Sequence, residues 1–325
     1  MNSKHLMYNC IWIFVFHLEY YGVSIVDMNI NDLKRILPVT IAIMLIIGFG
    51  SGNRACAKDI SDSTVENPVE DLSKEAFSPE SGKKGLTKLK RKLNKKLSGQ
   101  KGKWSVYVKN LDTNEYLLIN NKKLPSASLI KLFVMLSVYE EVEQKKLSED
   151  SSLKSSIRKM ITVSDNEAAN ELTKMLTKKK TFSAGANKIN RFCRDNGYGK
   201  TRFLVEMGKC SKRNVTSTKD CGWALERMYR GTAVNKKSSK KMIKLLKAQQ
   251  RRGKLPAGLP KGVTVANKTG ETSFAENDAA IVYSEGADYI IVVMSNNGNG
   301  SVEMIRDISG MVYRYFNSVG EIPHL

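Results

Sequence analysis

The sequence predicts an α+β fold, in which an antiparallel five-stranded sheet is flanked by N- and C-terminal helices and carries an inserted all-α subdomain. Two strand-like runs joined by a turn precede a long helical block, and three further strand-like runs follow it. Amphipathic helical patterns stand at both ends of this region. Such an order is typical of a sheet with the terminal helices packed on one face.

The first 57 residues are predicted to be a leader. Lys34 and Arg35 precede an apolar stretch at residues 36–50, and Ala55-Cys56-Ala57 follows it. A basic start, an apolar stretch and a small-x-small end are typical of a secretory signal. The alternative is an uncleaved membrane anchor, for which this stretch is short. We therefore expect an exported protein, extracellular or in the cell envelope, either cleaved after Ala57 or anchored through residues 36–50.

Residues 58–81 are rich in Ser, Asp, Glu and Pro, which predicts a disordered linker before a domain of residues 82–325. Residues 82–103 then carry ten Lys or Arg and no acid, within a net charge of +21. Leucines recur in this run at spacings of three and four, so we interpret it as an amphipathic helix to about Leu97 with a solvated face. Attraction to an anionic surface is the alternative. Nucleic-acid binding is not expected, because no aromatic residues alternate with these lysines.

The two strands before the helical block form a predicted hairpin. Trp104 to Leu111 alternates and is rich in β-forming residues, Asp112–Glu115 is a turn, and Tyr116–Asn120 returns. Ser128 to about Val142 is apolar almost all round, which indicates a buried central helix.

Beyond the central helix the pattern is helical from about residue 153 to 233, apart from an irregular loop near 197–216, and again over residues 238–250. The three strands and the closing helix that follow are Gly262–Lys268, Ala279–Ser284, Tyr289–Ser295 and Glu303 to about Ser318.

Three short strings carry the candidate catalytic residues: Ser128-Leu129-Ile130-Lys131, Ser164-Asp165-Asn166 and Lys268-Thr269-Gly270. The only histidines are His5, His17 and His324, so the body of the chain contains no imidazole base and no histidine that could bind zinc. A lysine one helical turn after a serine is the known substitute for that base, because residues i and i+3 share a helix face.

Each string also has a purely structural interpretation. Ser128 could cap a helix while Lys131 extends to solvent. Ser164 and Glu167 spell a capping box, and the Lys268 string could be an ordinary strand end. The occurrence of all three in order favours chemistry over these alternatives.

In the catalytic interpretation, the hydroxyl of Ser164 passes a proton to the leaving nitrogen, and Asn166 hydrogen-bonds a substrate amide. Lys268 and Thr269 hold a substrate carboxylate, and Gly270 lets the substrate approach the backbone. Burial of Lys131 near a second ammonium would lower its pKa and allow it to act as a base.

From about residue 83 to the C-terminus, the chain resembles class A β-lactamases and their close serine-hydrolase relatives. The likeness extends through Ile161–Asn170 around the second string, and through Leu255–Pro260 and Val265–Asn267 before the third. Asn277-Asp278, after the third string, also fits this family. The resemblance implies a β-lactamase/D,D-peptidase-like fold.

The resemblance also implies roles for the site residues. Ser128 is then the acylated nucleophile and Lys131 its base or relay, with Ser164, Asn166, Lys268 and Thr269 lining the pocket. The backbone N–H groups of Ser128 and Glu271 form the oxyanion hole. The cycle needs no metal and no organic cofactor.

Two features depart from the family pattern. The interval from Ser128 to Ser164 is short, so part of the helical half is trimmed. The Glu-x-x-Leu-Asn element that positions the deacylating water is missing. The matching stretch, Thr201–Gly208, contains Glu206 about one position before the place of the family's glutamate. Glu206 is therefore either a misregistered base or a surface glutamate, and deacylation is the doubtful step.

We expect a serine hydrolase that acts through a Ser128 acyl-enzyme on β-lactams or related amides and esters. A D-alanyl-D-alanine peptidase or transpeptidase of the cell wall and a non-turnover sensor are the alternatives. The expected partners are a small-molecule β-lactam or a cell-wall peptide, and the expected state is a monomer. A disulfide between Cys210 and either Cys193 or Cys221 is allowed in an exported chain.

Overall fold

The computed structural model describes residues 86–209 and 213–317. The predicted leader of residues 1–57 and the linker of residues 58–81 lie outside the described residues, as does Cys210. Within the described ranges, no helix is long and apolar enough to cross a membrane.

The architecture is α+β, as predicted. The α-helices of the described residues are α1 (Thr87–Leu97), α2 (Lys131–Glu143), α3 (Ser151–Thr162), α4 (Asn166–Met175), α5 (Phe182–Asp195), α6 (Thr218–Arg230), α7 (Lys236–Lys247) and α8 (Val302–Asn317). The strands are β1 (Trp104–Asn110), β2 (Tyr116–Ile119), β3 (Leu124–Pro125), β4 (Val215–Thr216), β5 (Thr264–Thr272), β6 (Ala275–Tyr283) and β7 (Tyr289–Ser295).

Five strands form one antiparallel sheet in the order β2-β1-β7-β6-β5, which confirms the predicted fold class. Strand β1 lies between the hairpin partner and the C-terminal strands, with Val106 opposite both Ile119 and Val293. Strand β5 is therefore at the edge of the sheet. The short strands β3 and β4 pair separately and bring the start of the central helix beside the loop that precedes α6.

The sheet is buried on both faces, because alternate residues of its strands enter two different cores. Val106 and Val108 of β1 pack with leucines of α1 and with Ile305 and Ile308 of α8. Tyr107, between them, enters the core of the all-α half together with α2. The basic run is thus an amphipathic helix whose leucines cover the sheet, as predicted.

Strands β5 and β6 are both longer than their sequence pattern predicts. The prediction ends the first strand at Lys268 and begins the second at Ala279, whereas the ladder runs through Thr272 and resumes at Ala275. Most of the added residues are polar and most are buried, so apolar alternation cannot reveal them. The third string therefore lies inside a strand and not at its end.

Helix α6 approaches the sheet closely at Gly222. A β-carbon on Gly222 would lie 2.4 Å from two ring carbons of Tyr107. Since real β-carbons do not come so near, only glycine allows this helix to contact β1 at that distance.

We predict that Gly222→Ala lowers the free energy of unfolding by roughly 1–3 kcal/mol through overpacking. Alanine favours a helix by about 1 kcal/mol over glycine, so helix propensity alone predicts the opposite sign. Urea denaturation distinguishes the two. Gly199→Ala is the control, because no heavy atom lies within 4 Å of the added β-carbon there. Equal stability of Gly222→Ala and the parent would refute the close contact.

Candidate active site

The candidate nucleophile lies on a tight turn at the start of the central helix. Ser128 belongs to a 3₁₀ turn, Ala127–Ile130, that leads directly into α2. Its neighbours Ala127, Leu129 and Ile130 are buried, whereas Ser128 is partly exposed. Ala127 has a φ of 45°, which is unusual for a residue with a side chain. The backbone thus presents the Ser128 hydroxyl to solvent while the rest of the turn is packed, and no side-chain cap occurs there.

Lys131 connects the first two strings. Its Nζ lies 3.1 Å from the Oγ of Ser128 and donates to the Oδ1 of Asn166 at 2.7 Å. It also donates to the carbonyl oxygen of Ser164 at 2.5 Å. The residue is fully buried, so the alternative of a lysine that extends to solvent is wrong.

Burial lowers the pKa of Lys131 to about 7, and the charge of Arg251 acts in the same direction. The nearby carboxylate of Asp165 opposes this shift. At neutral pH a large fraction of this amine is therefore unprotonated. A neutral amine at hydrogen-bond distance from a partly exposed hydroxyl can accept its proton.

Ser164 occupies the loop between α3 and α4 in the left-handed region, with a φ of 64°. The sequence-based capping box is wrong: Asp165 is the N-cap of α4 and accepts from the backbone N–H of Ala168 at 2.7 Å. The Ser164 hydroxyl is consequently not used as a cap. It accepts from the Nζ of Lys268 at 2.8 Å, and the Nζ of Lys131 lies 3.3 Å away.

The second ammonium comes from the edge strand. Lys268 is completely buried in β5 and also donates to the carbonyl of Thr269 at 2.7 Å. Burial, followed by the charge of Lys131, holds the pKa of Lys268 well below its usual range. The carboxylate of Asp278, on β6, favours the charged form. Thr269, the next residue of β5, is also buried.

Gly270 has a different function from the expected one. A β-carbon on Gly270 would lie 2.9 Å from the carbonyl oxygen of Ser126 and 3.1 Å from the backbone nitrogens of Ser128 and Leu129. The nucleophile's own turn therefore fills the space that we expected for the substrate. Glycine lets the edge strand contact this turn, and Glu271 follows one residue further along β5.

Two cations at the site were not identified in the sequence. Arg251 donates from Nε to the carbonyl of Val163 at 3.3 Å and pairs through Nη1 with the side chain of Glu271. Lys254 is buried and lies 2.5 Å from a carboxylate oxygen of Glu276. In so lysine-rich a chain, neither residue stands out by its type. Only their position between the helices and β5 distinguishes them.

Among the described residues, no hydrogen bond or ion pair joins Glu206 to this cluster. Its carboxylate pairs with Lys209 at 2.6 Å, and this hydrogen bond lowers the pKa of Glu206. The adjacent Met207 is fixed by Asn170 of α4, through hydrogen bonds of 2.8 and 3.1 Å. Of the two interpretations of Glu206, the structure favours the surface glutamate.

Cys193 and Cys221 are both buried free thiols, and the anticipated partner Cys210 lies outside the described residues. Each packs in the core of the all-α half. Burial raises the pKa of both thiols. Among the described residues, no cluster of acidic, histidine or cysteine side chains could hold a metal ion.

The fold and this arrangement of groups define a β-lactamase-like serine hydrolase. The chain belongs to the β-lactamase enzyme family, whose model matches residues 88–156 and 148–316.

The fold is also similar to solved structures. PBP-A matches with a TM-score of 0.65 and 24% identity over 72% of this chain and 97% of that one. A mutant of PBP-A, solved as an acyl-enzyme complex with penicillin G, matches equally well, with a TM-score of 0.65. The TLA-1 extended-spectrum β-lactamase matches with a TM-score of 0.65 and 21% identity over 71% of this chain and 99% of that one.

The buried amine of Lys131 predicts a pH-dependent stability. Between pH 7 and 10.5 the unfolded lysine keeps a proton that the folded one has lost, so stability rises with pH in this window. Below pH 7 the cost of burying the charge is fully present. We predict that Lys131→Met raises the free energy of unfolding at pH 7 by roughly 1–3 kcal/mol and flattens its rise toward pH 10.

Denaturation curves at pH 7, 8.5 and 10 measure this effect. Lys154→Met, at an exposed position of α3, removes the same charge and is expected to leave the curve unchanged. The same pH slope in Lys131→Met and the parent would contradict the lowered pKa.

Proposed function

We propose that the protein is a β-lactam-reactive serine hydrolase that forms an acyl-enzyme on Ser128 and releases it slowly. One observation carries the proposal: the partly exposed Oγ of Ser128 lies 3.1 Å from the buried Nζ of Lys131. With a pKa of about 7, this amine is available as a base at neutral pH. Similarity to a protein whose mutant was solved as an acyl-enzyme with penicillin G supports the same chemistry.

In the proposed acylation, neutral Lys131 accepts the hydroxyl proton while Ser128 attacks the lactam carbonyl. The backbone N–H groups of Ser128 and Glu271 stabilise the oxyanion. When the C–N bond breaks and the ester forms, Ser164 donates a proton to the leaving nitrogen. Its hydroxyl can recover that proton from the ammonium of Lys131, which returns the base to its neutral form.

Three other groups position the substrate in this proposal. The carboxylate of the β-lactam binds Lys268 and Thr269 on the edge strand, and its amide side chain binds Asn166. Desolvation disfavours the charged form of Lys268, but a bound carboxylate supplies the opposite charge. Substrate binding thus favours the protonated, positively charged form of Lys268, which is the form that holds the substrate carboxylate.

Slow release follows from the position of the carboxylates. Hydrolysis of an acyl-serine needs a base that orients water, and such assistance is typically worth about 10²–10⁴-fold in rate. Glu206 is bound to Lys209, Asp165 caps α4, and Glu271 is paired with cations. These three carboxylates therefore already have other partners in the absence of substrate.

A second function has an observation of its own. Strand β5 is at the sheet edge, and the turn that carries Ser128 lies against it. An extended peptide can add to such an edge as a further strand. A D-alanyl-D-alanine peptidase of the cell wall would use this edge and the same serine. The predicted secretory leader suits either function, because export would bring the protein to β-lactams and wall peptides. Release of D-alanine without lactam turnover would select this second function.

We predict that benzylpenicillin adds its own mass once to the protein and that intact-mass spectrometry detects the adduct. The adduct should clear about 10²–10⁴ times more slowly than from an enzyme with a positioned base. Ser128→Ala should form none. Ser156→Ala is the matched control, because Ser156 and Lys159 also stand in an S-x-x-K string and its loss should not affect labelling. An adduct that survives in Ser128→Ala, or no adduct in the parent, would disprove the proposal.

We predict that Glu206→Gln clears the adduct at the parent rate, within about twofold, because this side chain is bound to Lys209. Time-resolved mass spectra after removal of free penicillin measure the clearance. Lys209→Gln, which frees the carboxylate, is the companion variant. Clearance at least tenfold slower in Glu206→Gln would instead identify Glu206 as the deacylating base.

A further inference from the structure

The guanidinium of Arg251 connects the two walls of the candidate site. One wall is the loop between α3 and α4, where the carbonyl of Val163 accepts from Nε at 3.3 Å. The other wall is β5, where the carboxylate of Glu271 accepts from Nη1. The side chains of Arg251 and Glu271 are 49% and 44% exposed, so the pair lies at the open side of the site.

Arg251 is also within electrostatic reach of the groups that would hold the substrate. Its charge contributes to the lowered pKa of both Lys131 and Lys268. Its backbone oxygen accepts from the Nδ2 of Asn267, the residue that precedes Lys268 on the edge strand, at 3.4 Å. A substrate carboxylate at Lys268 would therefore be attracted by the guanidinium as well.

Glu271 also contacts a second cation, Lys254. The Nζ of Lys254 lies 3.3 Å from its other carboxylate oxygen. Lys254 is buried and is fixed by Glu276 at 2.5 Å and by the carbonyl of Gly270 at 3.2 Å. If Glu271 released Arg251, its charge would still be compensated by Lys254.

We propose that Glu271 is an internal competitor for the substrate carboxylate, which must displace it from Arg251 to bind. This inference rests on the proposed function and makes the Glu271 side chain a determinant of substrate specificity. The displaced carboxylate stays paired with Lys254, so no anion is left unpaired beside the substrate. A substrate without a carboxylate cannot gain from this exchange.

The expected effect is modest because exposed ion pairs are weak. Exchange of one exposed carboxylate partner for another corresponds to about a two- to fivefold change in binding or rate. Glu271→Gln keeps the backbone N–H that the oxyanion needs and removes only the competing charge. Arg251→Gln removes the group for which the two carboxylates compete.

The test compares two acylating reagents on Glu271→Gln, Arg251→Gln and the double variant. For benzylpenicillin, which carries a carboxylate, Glu271→Gln should raise the acylation rate about two- to fivefold, and Arg251→Gln should lower it at least about threefold. The double variant should behave as Arg251→Gln. For p-nitrophenyl acetate, which carries no carboxylate, a change in rate reports only the altered base Lys131, because the charge of Arg251 helps to lower the pKa of that lysine. The changes expected for benzylpenicillin therefore apply to the ratio of its rate to the p-nitrophenyl acetate rate. Glu167→Gln removes the same charge from the exposed start of α4 and should change neither rate.

Equilibrium binding of benzylpenicillin to Ser128→Ala, measured by calorimetry, repeats the comparison without chemistry. There Glu271→Gln should increase affinity about two- to fivefold, and only while Arg251 is present. If the parent formed no adduct, the proposed function would be disproved, but this binding series would still test whether Glu271 competes with the substrate carboxylate. Unchanged or weaker binding in Glu271→Gln, a gain that persists without Arg251, or no binding by any variant would overturn it.

Discussion

Two ammonium groups held around one hydroxyl are the constraint on which the site depends. The Nζ atoms of Lys131 and Lys268 lie 3.3 and 2.8 Å from the Oγ of Ser164, and both lysines are buried. Two amines so close together in a buried site cannot both remain fully protonated, so one of them is available as a base at neutral pH. The nucleophile, the proton path and the proposed anion site all follow from this pair.

The surrounding structure is arranged to keep these charges together. Lys131 is carried by a helix that is buried nearly all round, and Lys268 by a strand whose neighbour contributes the buried carboxylate of Asp278. Backbone conformations that disfavour side chains, at Ala127 and Ser164, aim the two hydroxyl groups at the amines. Such strain costs roughly 1–3 kcal/mol per residue and persists only when the surrounding packing enforces it.

Periodicity and turn chemistry were enough to predict the hairpin, the helical block and an antiparallel sheet of five strands, whereas the strand order comes from the structure. They failed where polar residues are buried, as at the start of β6, since burial there depends on partners from distant parts of the chain. The capping box at Ser164 was wrong for a related reason. Asp165 and Ser164 both suit an N-cap, and the contact of Ser164 with Lys268, 104 positions away, decides between them.

The sequence by itself determined the fold class and the chemical types at the site: serine, two lysines, an asparagine, and no histidine in the described body of the chain. Only the tertiary structure decided which of these groups meet, that Glu206 is paired with Lys209, and that Arg251 and Lys254 share Glu271. The reason is physical. A pKa, an ion pair or a burial cost depends on distances of a few ångströms between residues that sequence spacing does not relate.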